Sequence, residues 1–195
     1  EIDTPAIKNN YIVSLFEDKK RNLWICTRGG GLLKYKDGGF THYGEKDGLT
    51  SHFIDTVAAD ENNTLWVGTD GGGIFKFKDD RFTGCTQARG LLYDNVKYID
   101  PAGNGTLRVA TLNGLCYFKN DTFSRVSEDD GLPAIHINTI HEDNEKKLWV
   151  GTEEGLYTGK QGKFSKCTIP PASSAYKIRV IFEDSNGNIW IGTAA

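Results

Sequence analysis

Side chains able to act as bases, nucleophiles or metal ligands form no recognisable catalytic constellation in this sequence. His42, His52, His136 and His141 have no partners at spacings that suggest a metal shell, and no Ser-His-Asp or Cys-His arrangement can be traced. Cys26, Cys85, Cys116 and Cys167 lack C-x-x-C spacing and read as buried packing. Asp184-Ser185-Asn186-Gly187-Asn188 spaces its oxygens like a calcium loop, but it lacks the glycine after the third ligand and the terminal Glu, so it reads as a structural turn. Arg28-Gly29-Gly30-Gly31 and Asp70-Gly71-Gly72-Gly73 are glycine-rich, yet no helix N-terminus follows to hold a phosphate. They read as flexible connections. The expectation is a chain with no catalytic residue, no metal site and no cofactor.

Recognition is the chemistry that remains, and it needs polar and aromatic groups that vary on a regular frame. The candidate ligand-binding residues are Tyr11, Arg28, His52, Asp70, Asn95, Asn113, His136, Glu153 and Tyr176. Arg28, Asp70, Asn113 and Glu153 follow one type of strand end. The others precede the next strand, and an up-and-down sheet brings both sets of loops to one face. Mixed aromatic and hydrogen-bonding groups suit a small polar molecule or an oligosaccharide.

The frame is a repeat. Leu23-Trp24-Ile25-Cys26-Thr27, Leu65-Trp66-Val67-Gly68-Thr69, Leu107-Arg108-Val109-Ala110-Thr111, Leu148-Trp149-Val150-Gly151-Thr152 and Ile189-Trp190-Ile191-Gly192-Thr193 succeed one another at steps of 42, 42, 41 and 41 residues. Gly31, Gly73, Gly114 and Gly155 keep the same phase, as do Phe40, Phe82, Phe123 and Phe164. Each unit holds four short β-rich runs bounded by Gly, Asn and Asp, the size and pattern of a propeller blade. In the first unit the strands are predicted at about 12–17, 23–27, 31–36 and 39–43.

The fold expected is therefore all-β, a β-propeller of four-stranded antiparallel blades, with four complete repeats and a half blade. The units run approximately 10–51, 52–93, 94–134, 135–175 and 176–195, in one domain or propeller fragment spanning 1–195. The Trp of each unit is predicted to plug the space between sheets, and the small residue two places on to let blades approach closely. The third unit carries Arg108 at the Trp position and Asp100-Pro101-Ala102 upstream of it, so Arg108 is predicted to be partly exposed or salt-bridged. Cys85 and Cys167 occupy one strand position two blades apart, beyond the roughly 4.4 to 6.8 Å between the Cα atoms of a disulfide.

Composition narrows the partners. The chain has 195 residues, 23 of them basic and 26 acidic, and a net charge of -3 leaves no basic footprint for nucleic acid or an anionic membrane. No apolar run spans a bilayer, the first residues carry no targeting signal, and Met is absent, so an excised piece of a longer protein is expected.

Glu183-Asp184-Ser185-Asn186-Gly187-Asn188-Ile189-Trp190-Ile191-Gly192-Thr193, Glu142-Asp143 with Trp149 to Thr152 and Gly155-Leu156, and the closing Asp47-Gly48-Leu49, Gly90-Leu91 and Asp130-Gly131-Leu132 resemble the two-component regulator propeller repeat. The resemblance implies a non-catalytic sensor module in the periplasmic or extracellular part of a membrane-anchored bacterial protein, recognising carbohydrate fragments and joined to signalling domains in the same full-length chain. A propeller enzyme, lyase or glycan hydrolase, and a passive interaction scaffold are the alternatives. The half unit leaves open a small ring with an incomplete last blade, an arc cut from a larger ring or an assembly of copies; the arc is favoured slightly, its open blade edges being available for self-association.

Overall fold

A computed structural model describes residues 11–133, 135–160, 162–169 and 176–194. Eighteen strands follow in chain order. The first sheet holds β1 (Tyr11–Glu17), β2 (Leu23–Arg28), β3 (Leu32–Lys36) and β4 (Gly39–Tyr43). The second holds β5 (Ile54–Ala59), β6 (Leu65–Thr69), β7 (Ile74–Lys78) and β8 (Arg81–Cys85). The third holds β9 (Val96–Gly103), β10 (Thr106–Thr111), β11 (Gly114–Lys119) and β12 (Thr122–Arg125). The fourth holds β13 (Ile137–Glu142), β14 (Leu148–Thr152), β15 (Gly155–Lys160) and β16 (Lys163–Cys167), and β17 (Lys177–Glu183) pairs with β18 (Ile189–Ala194) alone. Every sheet is antiparallel in sequence order, so the chain is an all-β propeller array, and the first-unit strands fall within about a residue of their predicted bounds.

Turn chemistry sets the blade. Between the third and fourth strands, Asp37-Gly38, Asp79-Asp80 and Asn120-Asp121 all have positive φ at both positions, which matches the right-handed twist of the hairpins they close. Between the first and second strands a carboxylate organises the loop. Asp18 Oδ1 accepts from the backbone N–H of Lys20 and Asn22, while its Oδ2 accepts from Trp24 Nε1 at 2.9 Å. The same three bonds recur at Asp60 with Trp66, Asp143 with Trp149 and Asp184 with Trp190. The calcium-like segment at Asp184 is thus a turn whose carboxylate is occupied by N–H donors, which hold its pKa down at about 2.

The repeated Thr closes the next loop. Thr27, Thr69, Thr111 and Thr152 are fully buried, and their hydroxyls donate to the carbonyls of Gly31, Gly73, Gly114 and Gly155. In the first two units the following blade adds main-chain acceptors: His52 O receives Gly29 and Gly31 N–H, and Asp94 O receives Gly71 and Gly73 N–H. The two glycine-rich loops expected to be flexible are therefore tied at both ends, because the N–H groups of their first and last glycines find an acceptor in the neighbouring unit, while Gly72 N–H donates to Thr69 Oγ1 of its own unit.

Each hydrophobic core straddles a junction between consecutive sheets. Trp24, Cys26 and Leu49 pack with Ile54, Val57 and Phe82, and the later junctions repeat the pattern. A Cβ at Gly68 would lie 2.6 Å from Val96 of the next blade, and one at Gly151 would lie 2.6 Å from Ile178, so the small residue does permit close approach. Trp24 and Trp66 plug their junctions against the third strand of the following blade, whereas Trp149 is half-buried, because the last sheet lacks that strand, and Trp190 is exposed, with no blade following it among the described residues. The Gly-Leu element clasps the next blade: Leu49, Leu91 and Leu132 are buried, and Gly48 and Gly131 take positive φ where a Cβ would meet a carbonyl of the adjoining fourth strand.

The third unit loses both partners of the carboxylate–indole bond together, with Ala102 where the others have Asp and Arg108 where they have Trp. A two-residue Asn104-Gly105 turn, both with positive φ, replaces the organised loop and lengthens β9. Arg108 is buried and paired with Asp100 at 2.8 Å and with Glu142 of the next blade at 2.5 Å, the salt-bridged outcome. Burial pushes the Asp100 carboxyl up despite the guanidinium beside it. All four cysteines are free; burial raises the thiols of Cys26 and Cys116 to about 12, so they are inert packing groups.

Candidate functional site

The innermost strand of every unit carries a β-bulge near its start. Register slips between Ile12 and Ser14, Ile54 and Thr56, Val96 and Tyr98, Ile137 and Thr139, and Ile178 and Val180. The residues left over are Val13, Asp55, Lys97, Asn138 and Arg179. A bulge re-aims one side chain without disturbing its apolar neighbours, and Ile54, Val96, Ile137 and Ile178 stay fully buried. Four of the five bulge residues are polar, and all differ.

They meet the residues that follow the repeated Thr. Arg28 donates to Asp55 Oδ1 through Nε at 3.2 Å and through a terminal nitrogen at 3.0 Å. Lys97 donates to Asp55 Oδ2 at 2.6 Å and to Asp70 Oδ2 at 3.3 Å, and Asn95 donates to Asp70 Oδ1. These bonds cross from the first blade to the second and from the second to the third. A separate group surrounds Glu153, which accepts from Asn138 at 3.0 Å and from Arg179 at 2.7 Å, with Lys177 at 3.4 Å and His136 Nδ1 at 3.9 Å. Burial alone would raise the Glu153 carboxyl, but the Asn138 hydrogen bond and the Arg179 charge outweigh it and hold it low. Burial lowers the His136 pKa, and its Nε2 has no hydrogen-bond partner among the described residues. Leu112 occupies the post-Thr position between the two groups, so the ladder of charge is interrupted there.

Of the nine residues expected from sequence, Arg28, Asp70 and Asn95 join the first group, and His136 and Glu153 the second. Tyr11 opens β1 opposite Arg28 and is exposed. His52 lies on the surface 3.5 Å from Glu45. Asn113 stands one residue beyond the position of Arg28, Asp70 and Glu153 and is exposed. Tyr176 is half-buried against Leu156, Ile178 and Ile181, a packing role more than a facing one. Sequence reasoning missed Asp55, Lys97, Asn138 and Arg179. The available signal was a polar residue directly after the in-phase Ile or Val of each first strand, but a bulge is invisible to a two-residue alternation.

Fold and site define a class: propeller blades contiguous in sequence, with a recurring frame and a mouth whose polar groups change from blade to blade. The two component regulator propeller family matches residues 6–29, 48–71, 131–154 and 173–195, so that repeat recurs in four of the five units. The segment with Pro101, Ala102 and Arg108 lies outside the matches. Among solved structures the chain is similar to the extracellular domain of a hybrid two-component system from B. thetaiotaomicron, with 25% identity and a TM-score of 0.81, covering 94% of this chain and 27% of that one. A one-component system from the same organism aligns at 22% identity and a TM-score of 0.79, over 94% and 25%. A virginiamycin B lyase of Staphylococcus aureus shares the fold at 14% identity and a TM-score of 0.74, over 94% and 63%. The chain thus spans about a quarter of the length of these two extracellular domains. A comparison with curated proteins gives no match.

Proposed function

We propose that this chain is a non-catalytic ligand-binding part of a bacterial sensor, recognising a small polar ligand, an oligosaccharide first among them, at the mouth built by the bulged strands. The observation that supports it is the contrast between a frame that recurs from unit to unit, the third unit diverging at Ala102 and Arg108, and a mouth where the bulge position reads Val13, Asp55, Lys97, Asn138, Arg179. Hydrogen-bonding groups fixed by cross-blade pairs, beside the exposed rings of Tyr11 and Phe53, suit hydroxyls and sugar faces. Asp55 and Asp70 are each engaged by cations, so their oxygens are held in fixed positions at the mouth. The reading places the chain outside the cytoplasm, with signalling domains in the same full-length protein receiving the signal and no nucleic-acid partner. No helix among the described residues is long and apolar enough to cross a membrane. Calorimetric titration with a panel of neutral and acidic oligosaccharides tests it. Saturable heat is expected with one class, lost in Lys97→Ala or Arg179→Ala. Release of cleaved or unsaturated sugar products, or no heat with any member, overturns it.

A further inference from the structure

A groove of about 300 Å³ lies between the first and second blades, both complete, toward the ends of β1 and β5 that are far from the mouth. Its walls bring together Lys20, Lys34 and Lys36 of the first blade beside the rings of Trp24, Tyr43 and Phe77. Lys34 Nζ stands 5.9 Å from the Trp24 ring centroid and 5.5 Å from that of Tyr43, and it donates to the Tyr43 hydroxyl at 3.1 Å. None of the three ammonium groups forms an ion pair among the described residues. The two acids at the groove do not answer them. Asp18 already accepts from the backbone N–H of Lys20 and Asn22, the Asn22 amide and the Trp24 indole, and Asp80 sits in the β7–β8 hairpin without a cation on it.

The same groove recurs between the third and fourth blades, reduced to about 130 Å³, and there the chain itself supplies what fits. Trp24 pairs across strands with Lys34, and Arg108 with Tyr117, so each junction presents one aromatic and one cation, with their strands exchanged. Arg108 is answered by Asp100 at 2.8 Å and by Glu142 at 2.5 Å. In the first junction those two positions are taken by Phe16, which stands opposite Trp24 as Asp100 does opposite Arg108, and by Ala59, which stands opposite Leu65 as Glu142 does opposite Leu148. The cation is kept, both carboxylates are missing, and the short Ala59 side chain leaves their space open. The geometry points to a binding site here for a small polycarboxylate, one of whose carboxylates takes the place that Glu142 fills at the other junction. Lys34 receives it from a position fixed by two rings and a phenol, while Lys20 and Lys36 at the rim take the further acid groups; charge-assisted bonds of this kind are stronger in a partly enclosed groove than in open water. The second blade keeps Lys76 and Lys78 but has Asn62 where the first has Lys20, and Pro101 follows it where Ala59 follows the first, so the full set belongs to the first junction.

Amide and indole NMR of the chain, titrated with citrate at constant ionic strength, reads the site. The Trp24 indole and the amides of Lys20 and Lys36 are expected to shift saturably, while Trp66 and Asn138 stay unmoved. Digalacturonate in a parallel titration tells a sugar-borne pair of carboxylates from a free acid, and saturation of the same signals by either supports the site. Lys34→Gln should weaken binding about tenfold, the loss of one charge-assisted bond, and Lys34→Arg should retain most of it. Ala59→Glu, which returns the carboxylate of the other junction, should abolish it; if that variant loses its circular dichroism, the Lys34 pair carries the test. No saturable shift with either titrant overturns the inference. So do shifts spread equally over Lys76 and Lys147, or binding that Lys34→Gln or a folded Ala59→Glu leaves unchanged.

Discussion

At the scale of single residues, the carboxylate that organises each first loop carries a specific energetic role. Asp60→Ala leaves the Trp66 indole N–H and two backbone N–H groups without their acceptor, and the expected cost is about 1–3 kcal/mol in urea unfolding. Arg108→Ala strands Asp100 and Glu142, and because both acids keep some solvent contact the loss should lie near or below the roughly 3 kcal/mol of a broken buried pair. Glu142→Gln in the same assay should cost less. The Asp–Trp spacing was readable in sequence as a repeated motif, and so was the exchange of Trp for Arg108; the partner Glu142 was not, since it sits 34 residues away on the next blade. Acid sensitivity follows from the same groups. His136 has a lower pKa folded than its ordinary 6.5, so the unfolded chain takes up the extra proton and stability falls as pH drops below about 6.5. Asp18, Asp143, Asp184, Glu142 and Glu153 are likewise held low, so a second loss follows as pH falls below their ordinary 3.8 to 4.5, opposed in part by Asp100. His136→Gln should remove the upper step of a stability-against-pH series and leave the lower one.

At the scale of elements, the closing turn binds one blade to the next through backbone proximity. Gly131 has φ +87°, and a Cβ there would lie 2.1 Å from the carbonyl oxygen of Phe164, whereas Gly38 has φ +83° and open space around it. Gly131→Ala is expected to cost about 2–4 kcal/mol, the left-handed penalty plus overpacking against backbone, and Gly38→Ala about 1–2 kcal/mol from conformation alone. Paired thermal melts would separate the two. Equal losses would mean that the clasp contributes no contact of its own. The hairpin turns at Asp37-Gly38, Asp79-Asp80 and Asn120-Asp121 were legible because their chemistry is local. The bulges were not, because an extra residue in a strand shows only once its partner strand is in register, and the bulges decide which side chains face the mouth.

At the scale of the whole molecule, each inner unit is held on two sides and the last pair of strands on one. Amide exchange should accordingly be slowest in β6, β10 and β14 and fastest in β17 and β18, with Trp190 fluorescence quenched by iodide well before that of Trp24 or Trp66. Uniform protection across all five sheets would show instead that the array unfolds as one unit. By itself the sequence determined the blade: a period of 41 or 42 residues, its turns, its Trp and Thr-Gly closures and its divergent third unit, all set by short-range pattern and turn chemistry. Only the tertiary structure decided which polar groups meet, Arg28 with Asp55, Lys97 with Asp70, Arg179 with Glu153. Those outcomes depend on strand register and on the stacking of units some forty residues apart, neither of which the order of residues along one blade contains.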